Sequence, residues 1–268
     1  QRQMCIRDRY KDFDTMQTKL RETTEERNRA DALTKEVIGN ISHDLKTPLT
    51  AIKGYAEGIM DGVAATPERM ERYVKTIHSK AVDMAGLVDE LSYFTKIYQK
   101  VEDFRFAPVK ASYFFAECIS GMSLDLETRN IQLLYQCDVG EDVEIVIDEE
   151  KIKRVVANIV GNAVKYIQRE QGMILVNVED QGPFIQVMIR DNGKGIGKEE
   201  LPFIFERFYR TDSSRNSRTG GSGLGLAIAK KIMDEHGGRI WAESELGKGT
   251  EVYFTLKKET EQKEEHDE

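Results

Sequence analysis

Apolar residues recur at three- and four-residue intervals through the first hundred positions. Phe13, Met16, Leu20, Ala30, Val37 and Ile41 fall near the helical period, interrupted by polar Thr23 and Arg27, and predict a helical lead-in with a coiled-coil seam. Ile38, Ile41, Leu45, Leu49, Ile52 and Ile59 carry the stripe on to Gly62. Thr66-Pro67-Glu68 then reads as an N-cap with proline in the first turn, and a second stripe runs through Met70, Tyr73, Ile77, Met84, Leu87, Leu91, Phe94 and Tyr98. The pattern is that of an α-helical hairpin. Two helices with heptad-like seams cannot bury both faces alone, so a second copy completing a dimeric four-helix bundle is expected. The alternative is packing of the hairpin on the second half of its own chain.

Beyond 99–103 the period changes from helical to alternating. Ile131, Leu133, Tyr135, Cys137 and Val139 are separated by mostly polar neighbours, and so are Ile174, Val176 and Val178, then Ile185, Val187 and Ile189, then Val252, Phe254 and Leu256. These are strands. Helical periods cover 111–129, 149–168 and 223–236, so the second half reads as an α+β two-layer sandwich, a mixed sheet with helices on one face. Residues 258–268 contain no apolar side chain and are expected to be disordered.

The 268 residues suit about two domains of ~100–150 residues each. A net charge of −8 argues against a nucleic-acid backbone as the main partner, while leaving room for a local basic pocket. Cys5, Cys118 and Cys137 have neither metal-ligand spacing nor an even count for disulfides, which fits a reducing compartment. No stretch approaches the ~20 apolar residues of a spanning helix, so the chain alone is expected to be soluble. Residues 1–9 lack a hydrophobic pattern, and Met4-Cys5-Ile6-Arg7-Asp8-Arg9 resembles the translation of a sequencing-library adapter; they read as a non-native scar.

The chemistry is carried by a small set of motifs in a consistent order. On a helix at ~100° per residue, Ile38, Ile41, Leu45, Leu49 and Ile52 lie on the side opposite His43, which therefore faces solvent. A neutral imidazole keeps a lone pair that can attack phosphorus. Asp44 can fix its tautomer, and the Thr47 hydroxyl, one turn on, can orient a water. Pro48 weakens the backbone ladder there. His78 lacks an adjacent carboxylate, His236 precedes a Gly-Gly helix stop, and His266 lies in the tail.

Asn158, Asn162 and Lys165 form a polar stripe on a second helix, the amides suited to Mg²⁺ and the ammonium to phosphate. Asp191-Asn192-Gly193-Lys194-Gly195-Ile196 follows a strand, where a carboxylate can accept an adenine amino group and the glycines permit a sharp turn close to the base. Gly220-Gly221-Ser222-Gly223 leads into Leu224-Gly225-Leu226, a helix start whose free amides suit phosphates. Between them Arg207, Arg210, Arg215 and Arg218 supply positive charge, the last two in a polar segment that reads as a mobile lid. Neither a Walker-type loop nor a dinucleotide-binding glycine fingerprint is present.

From about residue 36 to 257 the chain resembles the catalytic core of a sensor histidine kinase of a two-component system. Ser42-His43-Asp44-Leu45-Lys46-Thr47-Pro48-Leu49 is similar to the H box, residues 158–166 to the N box, 191–196 and 221–225 to two glycine boxes, Phe205-Glu206-Arg207-Phe208-Tyr209-Arg210 to the F box, and Gly247-Lys248-Gly249-Thr250 to a third glycine box. The resemblance implies a HAMP-like signalling helix at 10–35, a dimerisation and phosphotransfer domain at 36–99, a linker at 100–103, a Bergerat-type ATP-binding domain at 104–257 and an acidic tail at 258–268. It implies ATP with Mg²⁺, His43 as phosphoacceptor, Asn162 as metal ligand and Asp191 as the adenine contact. Lys165 and Arg210 are implied as phosphate contacts and Tyr166 as a pocket wall. Asn158, Gly193, Gly195, Ile196, Phe205, Gly221, Gly223, Leu224, Gly225, Leu226 and Thr250 complete the implied nucleotide site. A response-regulator aspartate is the implied next acceptor, with Thr47 the key residue of a reverse phosphatase activity. The implied parent is a receptor in the cell membrane, with this part on the cytoplasmic side. Related ATPases carry a glutamate where Asn158 stands, which predicts slow hydrolysis here. A non-enzymatic scaffold and an ATP-driven clamp are the competing functions.

Overall fold

The computed structural model describes residues 21, 39, 41–42, 44–99, 101, 103–167, 171–210 and 222–259, in two units, Gln1–Ala85 and Gly86–Glu268. Most of the predicted lead-in, His43, Gly221 with the greater part of the expected lid, and the tail after Glu259 lie outside the described residues. No described helix is long and apolar enough to cross a membrane.

The first unit is built by α1 (44–60) and the greater part of α2 (Pro67–Tyr98). The predicted cap is present: the Thr66 hydroxyl accepts the Arg69 N–H at 3.3 Å, and Pro67 opens the helix. The connection closes on Gly58, whose carbonyl accepts the Val63 N–H at 2.9 Å, and Tyr55 meets Tyr73 edge-on with ring centroids 4.9 Å apart. Leu49, Met60, Val74 and Val82 remain more than half exposed, an apolar surface left over by a two-helix hairpin.

The second unit takes in the last turns of α2, then β1 (Ala107–Lys110), α3 (Ala111–Thr128), β2 (Ile131–Asp138), β3 (Glu144–Ile147), α4 (Glu149–Tyr166), β4 (Gly172–Gln181), β5 (Phe184–Asp191), a 3-10 turn (Leu201–Phe203), α5 (Gly225–Glu235), β6 (Arg239–Glu245) and β7 (Gly249–Lys257). The main sheet has the order β2-β4-β5-β7-β6. β2 and β4 are parallel because α4 lies in the connection between them, and the remaining pairs are antiparallel. Alternation decides the layers. Ile174, Val176, Val178, Ile185, Val187 and Phe254 are wholly buried on one face, against Phe115 of α3, Ile152 and Val156 of α4, and Ile228 and Ile232 of α5. Each such side chain contributes roughly 1.5–3 kcal/mol by leaving water. The other face carries Asn177, Met188, Tyr253 and Trp241, only half-buried, with Trp241 stacked on Tyr253 at 5.3 Å. The expected two-layer sandwich is what forms.

Three strands escape the alternation pattern. β1 and β3 are four-residue strands that pair with each other, Ala107 opposite Ile147 and Lys110 opposite Glu144, too short to show a period. β6 is an edge strand whose apolar Ile240 and Trp241 are consecutive. The expectation of a disordered tail from 258 is corrected at its first two residues. Lys258 donates from its N–H to the Pro183 carbonyl at 3.0 Å and ion-pairs with Asp180, and the Glu259 N–H reaches the Glu144 carbonyl at 2.9 Å.

His236, set aside on sequence grounds, ties α5 to the start of α4. Its Nδ1 lies 2.8 Å from the Ile232 carbonyl, and its Nε2 accepts the Asp148 N–H at 3.0 Å. Asp148 in turn caps α4 through Lys151 N–H at 3.1 Å and holds the Arg105 N–H at 2.9 Å, with Phe104 and Phe106 edge-on to the imidazole. Only the neutral ring with a proton on Nδ1 satisfies both bonds. Burial lowers the histidine's pKa, outweighing the Ile232 carbonyl and the Asp148 charge. The unfolded chain therefore takes up the proton more readily, and this contribution is present above about pH 6.5 and lost as the pH falls through the native value. His236→Ala is expected to lose about 1–3 kcal/mol near pH 7.5. In urea titrations its deficit against the parent should narrow as the pH falls below about 6.5.

Candidate active site

Within the second unit, α4, the end of β5 and the approach to α5 enclose a cavity of about 370 Å³. Asn158, Asn162, Lys165 and Tyr166 enter it from α4, Asp191 and the loop after it from β5, and Arg210, Ser222 and Gly223 from the other side. Ile189, Ile196, Leu226 and Val252 supply apolar wall.

The loop after β5 is held in shape from several sides. Gly193 donates its N–H to Asp191 Oδ1 at 2.7 Å, and the Thr250 N–H also bears on that carboxylate. Burial raises the Asp191 pKa, partly offset by these two N–H groups. Asn192 accepts the Met173 N–H at 2.9 Å, and the Lys194 N–H reaches the Tyr166 carbonyl at 3.2 Å. Gly195, at φ +72°, lies so close to the β6–β7 turn that a Cβ would sit 2.1 Å from the Glu245 carbonyl oxygen. Ser244 completes the clamp: its hydroxyl accepts the Ile196 N–H at 2.8 Å and donates to the Gly249 carbonyl at 2.7 Å.

The opposite end is positively charged. Lys165, Lys194 and Arg210 line the cavity, with the Lys194 ammonium 4.7 Å from the centre of the Tyr166 ring. Burial lowers the Lys165 pKa, Arg210 and Lys194 lower it further, and Glu90 opposes them. The start of α5 is pinned beside these cations. Ser222 accepts the Leu224 N–H at 3.0 Å, and the Asn158 amide donates to the Gly225 carbonyl at 3.0 Å. The site offers a carboxylate acceptor at one end, apolar walls between, and cations beside a helix N-terminus at the other, a fit for a polyphosphate joined to a heterocycle.

Residues 147–260 match the family described as histidine kinase-, DNA gyrase B- and HSP90-like ATPases, and residues 34–99 match the histidine kinase A phosphoacceptor domain. The sensor histidine kinase WalK of Bacillus subtilis is 33% identical over 91% of this chain. The chain belongs to the sensor histidine kinases. A second B. subtilis sensor histidine kinase, YkoH, is 37% identical over 81% of the chain. The chain spans 40% of the length of WalK and 46% of that of YkoH. The structure of histidine kinase ThkA in complex with response regulator protein TrrA has a TM-score of 0.62 and 26% identity, covering 89% of this chain and 66% of that one.

Against these kinase motifs the cavity is selective. Asn158, Asn162, Lys165, Tyr166, Asp191, Gly195, Ile196, Arg210, Gly223, Gly225, Leu226 and Thr250 all line it. Gly193, Phe205 and Leu224 are absent from the lining. Gly193 acts through Asp191, Leu224 is wholly buried, and the wall near Phe205 is formed by its neighbour Ile204. Asp44 and Thr47 lie on α1 in the first unit, Asp44 half-buried and Thr47 exposed. Glu90, Ser222 and Tyr209 also line the cavity without having been among the expected site residues, although Ser222 and Tyr209 stand inside the motifs quoted above. Ser222 sits between glycines already singled out and is recoverable from its position, whereas Glu90 is one acid among many on a long helix and carries no local signal.

Proposed function

We propose that this chain transfers the γ-phosphoryl group of ATP to His43 and then to an aspartate of a response-regulator receiver domain. The observation that carries the reading is the joining of Asn162, Lys165, Asp191 and Arg210 around one cavity. A neutral imidazole nitrogen of His43 attacks the γ-phosphorus, the bond to the bridging oxygen breaks and ADP leaves, with Asp44 orienting the ring. Lys165 and Arg210 hold the phosphates, and Asp191 accepts from the adenine amino group. The described residues contain no cluster of acidic, histidine or cysteine side chains for a metal cage. Asn162, on the cavity lining, would hold Mg²⁺ through its side-chain oxygen, and the ion would neutralise phosphate charge. Asn158 is engaged with Gly225 and has no basic carboxylate, which supports slow hydrolysis and transfer to histidine.

The remaining assignments belong to the same reading. Residues 36–99 form the dimerisation and phosphotransfer domain, 104–257 the ATP-binding domain, and 10–35 a signalling segment from a membrane receptor acting on the cytoplasmic side. The apolar surface of the hairpin pairs with a second copy, and Thr47 serves a reverse phosphatase activity on the regulator.

The test is incubation with Mg²⁺ and γ-labelled ATP, beside His43→Ala. An alkali-stable, acid-labile label that disappears in the variant is the expected result. A label that survives the substitution overturns the assignment of His43, and no label from a protein that binds ATP overturns the kinase reading in favour of a scaffold.

A further inference from the structure

Glu90 is the one acid that α2 contributes to the cavity lining. The turns around it are firmly packed within the second unit. Phe94 and Ile97 are 3% and 2% exposed, the Arg154 guanidinium lies 3.5 Å from the centre of the Tyr93 ring, and that of Arg207 lies 4.3 Å from the centre of Tyr98. This fixes where the Glu90 carboxylate ends up. Ser222 donates its hydroxyl to it while accepting the Leu224 N–H, so the carboxylate caps, through Ser222, the approach to α5. It also stands within electrostatic reach of Lys165, whose ammonium it favours against burial and against Arg210. A helix start flanked by cations is a place for an anion, and Glu90 supplies one there.

We infer that Glu90 is a specificity-determining residue of the nucleotide site, an intramolecular counter-anion that the phosphates of a bound nucleotide must displace. The inference rests on the reading of the cavity as an ATP site. A single carboxylate offers less charge than a triphosphate, so the exchange favours ATP, but every phosphate that enters meets the repulsion of Glu90 until its bond to Ser222 is broken. Affinity for adenosine, which brings no charge to that end, is untouched. Because Glu90 is on α2, the exchange also removes one of the bonds between α2 and the approach to α5.

Calorimetric titration of the full chain and of Glu90→Gln with ATP, ADP and adenosine tests this. Glutamine keeps the shape and removes the charge. The expected result is a gain on the order of tenfold for ATP, a smaller gain for ADP and none for adenosine. Tyr98→Ala, which weakens the seat of α2 without changing the charge at the cavity, should shift all three ligands alike. A Glu90→Gln protein that gains equally for adenosine, or does not gain for ATP, overturns the inference while leaving the ATP site standing. A parent chain that binds no ATP overturns the ATP-site reading and this inference with it.

Discussion

Asp191→Asn is expected to weaken ATP binding by about 10- to 100-fold while leaving the protein at least as stable as its parent. The loss follows from counting acceptors. The Asp191 carboxylate receives the N–H groups of Gly193 and Thr250 and still has lone pairs for a base amino group. An amide has a single acceptor oxygen for those same N–H groups, and its NH₂ must then face a ligand group that also donates. A hydrogen bond to a charged group is worth ~1.5–3 kcal/mol, which sets the range. The stability follows from the raised pKa of the native carboxyl, whose burial disfavours the ionised form. A native pKa above the unfolded value stabilises the fold at low pH, and that contribution is lost as the pH rises through the native value. At neutral pH the parent therefore carries a buried charge that asparagine lacks, and the two melting curves should converge as the pH falls toward about 4. Melting temperature and ATP titration on the same samples check both halves. Unchanged ATP affinity would remove Asp191 from its role.

The contrast between Asp191 and Glu90 shows what a sequence can and cannot display. Asp191 ends a strand with clear alternation and opens a glycine-rich run, so its place and its chemistry are visible together. Strands β4, β5 and β7 were legible because their helix-facing residues are wholly buried while their outer-face residues, such as Asn177 and Arg190, are polar enough to leave a period of two. β6 lacks that period because it is an edge strand with Ala242 and Ser244 on its inner side, and yet Ser244 clamps the Asp191 loop. His236 looked idle because its partners, the Ile232 carbonyl and the Asp148 N–H, are main-chain groups. Glu90 enters the cavity only because Phe94, Ile97 and Tyr98 pack the end of α2 within the second unit. Contacts made through the main chain or across long separations leave no local trace in residue type, and these are the ones that only the folded chain reveals.

Gly249→Ala should weaken ATP binding on the order of a hundredfold or more and lower the stability of the second unit, whereas Gly247→Ala, two residues away in the same motif, should do neither to a comparable degree. The sequence gives no reason to separate them, because both stand in Gly-Lys-Gly with left-handed backbone, φ +81° at Gly247 and +121° at Gly249. The surroundings separate them. A Cβ at Gly247 meets nothing within 4 Å, so alanine there costs only the backbone preference, about 1–2 kcal/mol. A Cβ at Gly249 would stand 1.9 Å from the Asp191 carbonyl oxygen and 3.1 Å from Asn192 Cα, main-chain atoms that no rotamer change can move aside. Relief requires β7 to part from the end of β5, which pulls the Thr250 N–H off the Asp191 carboxylate and the Gly249 carbonyl off Ser244. Strain and overpacking together cost about 3–5 kcal/mol, a large share of the ~5–15 kcal/mol that holds a domain folded. Urea titration should show the larger loss at Gly249, and nucleotide titration at a urea-free temperature where both variants remain folded should show binding retained at Gly247 and reduced on the order of a hundredfold or more at Gly249. If the two variants bind ATP alike, close approach of β7 to Asp191 is not what shapes the base end of the site, and the clamp through Ser244 must act without it.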